Sequence, residues 1–127
     1  MTYLWVGLGS ALGGMLRYFF SGVVDHRIGE TFPWGTMVVN ITGCLVIGFF
    51  ATLTAPDGRL LIGTAGRQFV MVGICGGYTT YSSFGLQTLN LARDGEWLLA
   101  GGNVLLTTTL CLAAVWAGYA LAAGLNH

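Results

Sequence analysis

Lysine is absent from this chain, and its charge amounts to five arginines and five acidic residues in 127 positions. A small soluble domain keeps roughly a quarter to a third of its surface charged. With 8% charged and 54% hydrophobic residues, this chain lacks the shell that water requires. Carboxylates are missing from every long apolar stretch, which removes the groups that proton-coupled transport and cation conduction usually use at membrane depth. Cysteine is sparse: Cys44, Cys75 and Cys111 show neither Cys-x-x-Cys nor mixed Cys/His spacing, and read as small packing residues. His26 and His127 lie outside the apolar stretches, so no metal cluster and no intramembrane Ser/His pair can be assembled. With no soluble domain to host a conventional active site, the chain is not expected to be an enzyme, and no nucleic-acid partner is expected.

What remains is apolar sequence in four blocks, residues 2–24, 33–55, 68–92 and 97–125. Each has the length that a bilayer demands, about 20 apolar residues. Arg17 is their single internal charge. The pattern predicts one all-α membrane domain of four transmembrane helices joined by short connections. The N-terminus lacks the basic lead and short apolar core of a cleavable signal, so it reads as the first span. Trp5, Trp34 and Trp97 suit interfacial anchors. Counting arginines by side gives Arg59 and Arg67 with the termini, and Arg27, Arg93 and Arg17 opposite. This near-even split sets no firm orientation and permits insertion both ways. Gly9 and Gly13 in the first span, and Ala114, Gly118 and Ala122 in the last, have the small-residue spacing that lets helix backbones approach in lipid. Four short helices cannot enclose a wide pore alone, so a dimer is expected.

The third block is anomalous. Gly76-Gly77-Tyr78-Thr79-Thr80-Tyr81-Ser82-Ser83-Phe84-Gly85 gathers glycines, hydroxyls and aromatic rings within an uncharged stretch. Lipid cannot hydrogen-bond an interrupted helix, so such a segment must be buried in protein or line a polar path. A break is expected within residues 76–80, freeing carbonyls for a small cation, for hydroxyls or for water, three partners that the residues alone leave equally open. Asn40 offers amide donors inside the second span, for a permeating anion or for a neighbouring helix. Arg17 either snorkels to headgroups or makes a positive vestibule. Tyr81 and Phe84, three apart, share a helix face and could turn positive ring edges to an anion, although such pairs are more often packing. Thr107, Thr108 and Thr109 supply hydroxyls, either for such a path or for bonds back to their own helix.

Together these features resemble the Fluc (CrcB) family of small fluoride channels over essentially the whole chain. The resemblance rests on Leu16-Arg17-Tyr18, on Pro33-Trp34-Gly35-Thr36 leading to Val39-Asn40, and above all on residues 76–84, which look like the family's GGxTTFSTF signature. It implies a fluoride-selective channel for passive efflux across the cell inner membrane, built as an antiparallel, dual-topology homodimer in which each third helix is broken. It further implies a fluoride pathway using Asn40, Thr80, Tyr81, Ser82 and Phe84, with Arg17 in the vestibule. A structural sodium ion at the dimer interface would be held by the main-chain carbonyls of Gly76 and Thr79. The chain departs from the family pattern at Tyr81, where phenylalanine is usual, at Gly85 for serine and at Gln87 for glutamate. Cys111 and Val115 fall near a polar track of relatives. A dual-topology multidrug exporter would need an intramembrane carboxylate, and a non-conducting assembly protein would leave the polar third block without purpose.

Overall fold

The computed structural model describes residues 1–126, and all of their regular structure is helical. Helix α1 covers Thr2–Ile28, α2 Trp34–Leu53 and α3 Thr64–Gln68. A π-helical stretch, Phe69–Cys75, continues α3 into the single turn α4, Gly76–Tyr78. Helix α5 covers Tyr81–Arg93 and α6 Trp97–Leu125.

The first helix runs further than hydropathy suggests, through Asp25-His26-Arg27 beyond the apolar block at residues 2–24. His26 and Arg27 place basic side chains in its last turn, where the dipole favours them. Gly29 then ends it at φ 114, a left-handed backbone that glycine adopts freely, with its N–H on the Asp25 carbonyl at 2.9 Å. The Asp25 carboxylate accepts from the Gly35 N–H at 3.0 Å, satisfying an orphan donor at the start of α2 and tying the two helices together. Pro33 stands just ahead of the first turn of α2, at φ −76.

Between α4 and α5 the backbone leaves the helix for two residues. Thr79 (φ −80, ψ 157) and Thr80 (φ −149, ψ 116) are extended, and α5 restarts at Tyr81. The glycine pair before them is not where the chain turns, since Gly76 keeps helical angles. Gly77 serves contact instead: a Cβ there would lie 2.6 Å from the Ser10 carbonyl oxygen of α1. The same intimacy continues along α1, where a Cβ on Gly9 would sit 2.9 Å from the Gly73 Cα. Backbone meets backbone because nothing larger stands between, which maximises dispersion contact where lipid supplies no hydrophobic drive.

Helix α6 shows the same logic inverted from a soluble helix. Its buried residues are Ala100, Asn103, Thr107, Ala114, Gly118 and Ala122, small or polar and mostly one turn apart. Leu98, Leu105, Leu112 and Trp116 are all at least two-thirds exposed. Apolar side chains outside and small or polar ones inside suit a hydrocarbon surrounding, and α2 and α6 are each long and apolar enough to cross a membrane. These two helices pack most extensively of all pairs. They run parallel, since Asn126, just past the end of α6, donates to the Thr52 carbonyl near the end of α2. At their crossing, a Cβ on Gly118 would lie 2.7 Å from the Phe49 nitrogen.

Gly118→Ala is therefore expected to push α2 and α6 apart and to cost about 1–3 kcal/mol, read as a lower unfolding midpoint of the detergent-solubilised protein. Gly101→Ala, with open space around its Cβ, should be neutral or slightly stabilising through helix propensity. Equal stability of the two variants would contradict the crossing described.

Candidate functional site

A peptide group removed from a helix ladder inside a protein must find both a donor and an acceptor. An amide side chain offers one of each. Asn40, 7% exposed on α2, meets the extended Thr80 in that way. Its Nδ2 donates to the Thr80 carbonyl at 2.9 Å, and its Oδ1 accepts the Thr80 N–H at 2.7 Å. One Nδ2 proton is left over. The Thr80 hydroxyl caps α5 by accepting the Ser83 N–H at 3.2 Å. Thr79 stays tethered to the preceding turn, with both its N–H and its hydroxyl on the Cys75 carbonyl at 3.0 Å.

These bonds redirect the carbonyls around the interruption. In a continuous helix the Gly76 oxygen would accept the Thr80 N–H, which goes instead to Asn40. The Thr79 oxygen would accept the Ser83 N–H, which goes instead to the Thr80 hydroxyl. The Gly77 oxygen accepts from Arg17 Nε at 3.1 Å. Arg17 thus reaches from α1 to the end of α4, while Tyr78 is held to α2 through a 2.9 Å contact between its hydroxyl and that of Thr42.

A cleft of about 400 Å³ opens beside this interruption. Asn40 and Cys44 line it from α2, Gly76, Thr79 and Thr80 from the interrupted segment, Tyr81 and Phe84 from α5, and Thr107, Thr108 and Cys111 from α6. Phe84 is buried, whereas Tyr81 is 84% exposed, so the pair runs from the cleft wall to the outer face of the chain. Their ring centroids are 5.4 Å apart. Asn40, Gly76, Thr79, Thr80, Tyr81 and Phe84, singled out from sequence, therefore meet at one place, together with Thr107 and Thr108. Ser82 and Arg17 do not line the cleft: Ser82 is exposed and lies 3.4 Å from the Thr80 hydroxyl, and Arg17 is engaged with Gly77.

One polar chain went unread in the sequence. Asn103, almost wholly buried, donates to the Thr88 hydroxyl at 2.9 Å and accepts from the Thr107 hydroxyl at 3.1 Å. Thr88 in turn donates to the Phe84 carbonyl at 2.8 Å. The chain links α6 to the ring-bearing helix beside the cleft. The signal was an amide within an apolar block, the same signal that marked Asn40. Beyond it, the buried Gln87 Oε1 has no hydrogen-bond partner among the described residues.

Asn40→Leu is expected to strand the Thr80 N–H and carbonyl together, at about 1–3 kcal/mol for each buried group. Thermal unfolding in detergent should drop clearly for Asn40→Leu and much less for Ser82→Ala. A change of equal size in both would show that the Thr80 backbone does not depend on Asn40.

The sequence as a whole has close counterparts. A family model described as "CrcB-like protein, Camphor Resistance (CrcB)" matches residues 4–119. A protein of Opitutus terrae named fluoride-specific ion channel FluC is 61% identical over 124 residues, covering 98% of this chain and 94% of its own length. Proteins of the same name from Rhodospirillum rubrum and Methylocella silvestris are 57% and 52% identical over 127 residues, covering all of this chain and 98% and 97% of theirs. Matched from end to end in this way, the chain belongs to the CrcB family and is a membrane protein.

Proposed function

We propose that this chain is a fluoride-selective channel that lets the anion leave the cytoplasm passively. The observation that carries the reading is the cleft beside the interruption. It joins an amide N–H, hydroxyls and two aromatic rings, with neither an acidic nor a basic side chain among its lining residues. Fluoride holds its water tightly, so a path must replace that water with donors and still release the ion. The spare Nδ2 proton of Asn40, the hydroxyls of Thr80 and Tyr81, and the positive ring edges of Tyr81 and Phe84 are such donors. None carries a full charge that would hold the ion too long. Fluoride enters cells as neutral hydrogen fluoride and ionises in the more alkaline cytoplasm. An inside-negative potential then favours exit by roughly 2.3 kcal/mol per charge for each 100 mV. No energy coupling is required.

In this reading α1, α2, the segment from α3 to α5, and α6 are four membrane crossings in the cell inner membrane, the third broken at Thr79 and Thr80. The 84% exposure of Tyr81 suits a path completed by a second copy, in an antiparallel homodimer. The Gly76 and Thr79 carbonyls, relieved of their helical partners, are hard oxygen donors of the kind a small alkali cation takes. They would hold a structural sodium ion, which would supply a fixed positive clamp between the two copies. Ser82 on the exposed face and Arg17 beside α4 would border the path rather than line it.

Purified protein in liposomes should release fluoride and retain chloride. Release of neither anion, or of both alike, would retire the channel reading. In a conducting preparation Asn40→Asp should abolish flux, because a carboxylate offers fluoride no N–H and adds a repelling charge. Replacing sodium with a bulky organic cation should loosen the dimer, seen as a shift toward monomer in size-exclusion chromatography. A dimer indifferent to that exchange would remove Gly76 and Thr79 as ion ligands.

A further inference from the structure

Thiol placement in the cleft is not that of isolated packing residues. Helices α2 and α6 are parallel, and Gly48 is so close to Val115 that a Cβ on it would lie 3.1 Å from the Val115 Cα. One turn back along each helix from that contact stand Cys44 and Cys111, on the same two facing stripes. Both are half-buried free thiols, and both line the cleft. A second turn back on each side brings Asn40 and Thr107, so the thiols stand directly beside Asn40, whose spare N–H is assigned above to the anion.

We propose that Cys44 and Cys111 form a two-thiol site for a soft divalent cation, represented by Hg2+, and that filling it closes the anion path. Two sulfur ligands suffice, because Hg2+ favours two-coordinate, linear thiolate binding and soft thiolates select soft metals. Each thiol gives up its proton, two S–Hg bonds form, and two protons leave to solvent with no change of oxidation state. The product is electrically neutral, so the half-buried wall is spared a net charge. A harder ion such as Ca2+ finds no matching ligands there. The bridge would link α2 to α6 across the wall where Asn40 and Thr107 face the cleft. Cys75 shares the cleft but stands on the interrupted segment, off the two facing stripes of α2 and α6, so it serves as the control.

The consequence for flux rests on the channel reading; the binding does not. Native mass spectrometry of the full-length protein with added HgCl2 should show one adduct per chain, with the mass of mercury less two protons. Cys44→Ser and Cys111→Ser should each weaken retention against a competing thiol by about 100-fold or more, the ordinary gain from making a second bond intramolecular. Cys75→Ser should retain the adduct. Alanine versions of the same variants separate a lost ligand from misfolding, since both replacements must give the same loss. Loss of the adduct in Cys75→Ser, or its survival in Cys111→Ser, overturns the assignment. In liposomes that release fluoride, Hg2+ should stop efflux, and excess dithiothreitol should restore it. Continued efflux with the adduct in place overturns the closure. Vesicles that never release fluoride count against the channel reading and leave the adduct measurement to decide the site.

Discussion

The pairing of Asn40 with both backbone groups of Thr80 is the interaction on which the rest of this structure depends. Extended residues between two helical segments expose N–H and C=O groups that a low-dielectric surrounding penalises heavily. An asparagine side chain is almost a peptide group, and bonds of 2.7 and 2.9 Å replace the lost ladder with a near copy of it. The substitution lets the chain restart as α5 with Phe84 turned inward and Tyr81 outward. It also leaves the Gly76 oxygen without its helical donor. A single side chain on α2 thus sets where the rings stand and which carbonyls are offered.

Small residues make that pairing reachable. Gly9, Gly73 and Gly77 seat the segment from α3 to α4 nearly backbone to backbone on α1, and Gly43 on α2 leaves room for the Thr79 and Tyr78 side chains, so that Asn40 reaches Thr80. The π-helical stretch Phe69–Cys75 widens the turn along this contact, as π segments often do near functional sites. On the other side Gly48 and Gly118 bring α6 against α2, which places Thr107 and Cys111 opposite Asn40 and Cys44. The cleft is therefore a residue of packing, a space left where three helices approach closely and one of them is interrupted.

Much of this was legible in the sequence because membranes simplify the code. Length and apolarity mark the helical blocks, and the polar residues within them stand out against a uniform background. Asn40, Thr79, Thr80, Tyr81 and Phe84 were visible for that reason, and they meet in one cleft. The task of each glycine was not legible. Gly76-Gly77 looks like a hinge, yet both residues are helical and Gly77 serves contact with Ser10, a distinction set by tertiary approach rather than local propensity. Asn103 and Thr88 were missed because their bond joins two helices 15 positions apart in sequence. Periodicity carries no sign of such a bond.

Charge counting changes meaning once the arginines are seen in place. Arg67 donates to the Thr54 hydroxyl and the Ala51 carbonyl at the end of α2, and Arg59 to the Leu125 carbonyl at the end of α6. Arg27 and Arg93 stand in the last turns of α1 and α5, and Arg17 holds the Gly77 carbonyl at the end of α4. All five arginines therefore meet the C-terminal end of a helical segment, where carbonyl dipoles accumulate negative potential. If helices alternate in direction across a membrane, their C-terminal ends alternate in side, and charges recruited to those ends must divide almost evenly. The near-even arginine count then follows from helix capping. Its effect on insertion is the same whatever its origin: an even count favours neither side of a membrane.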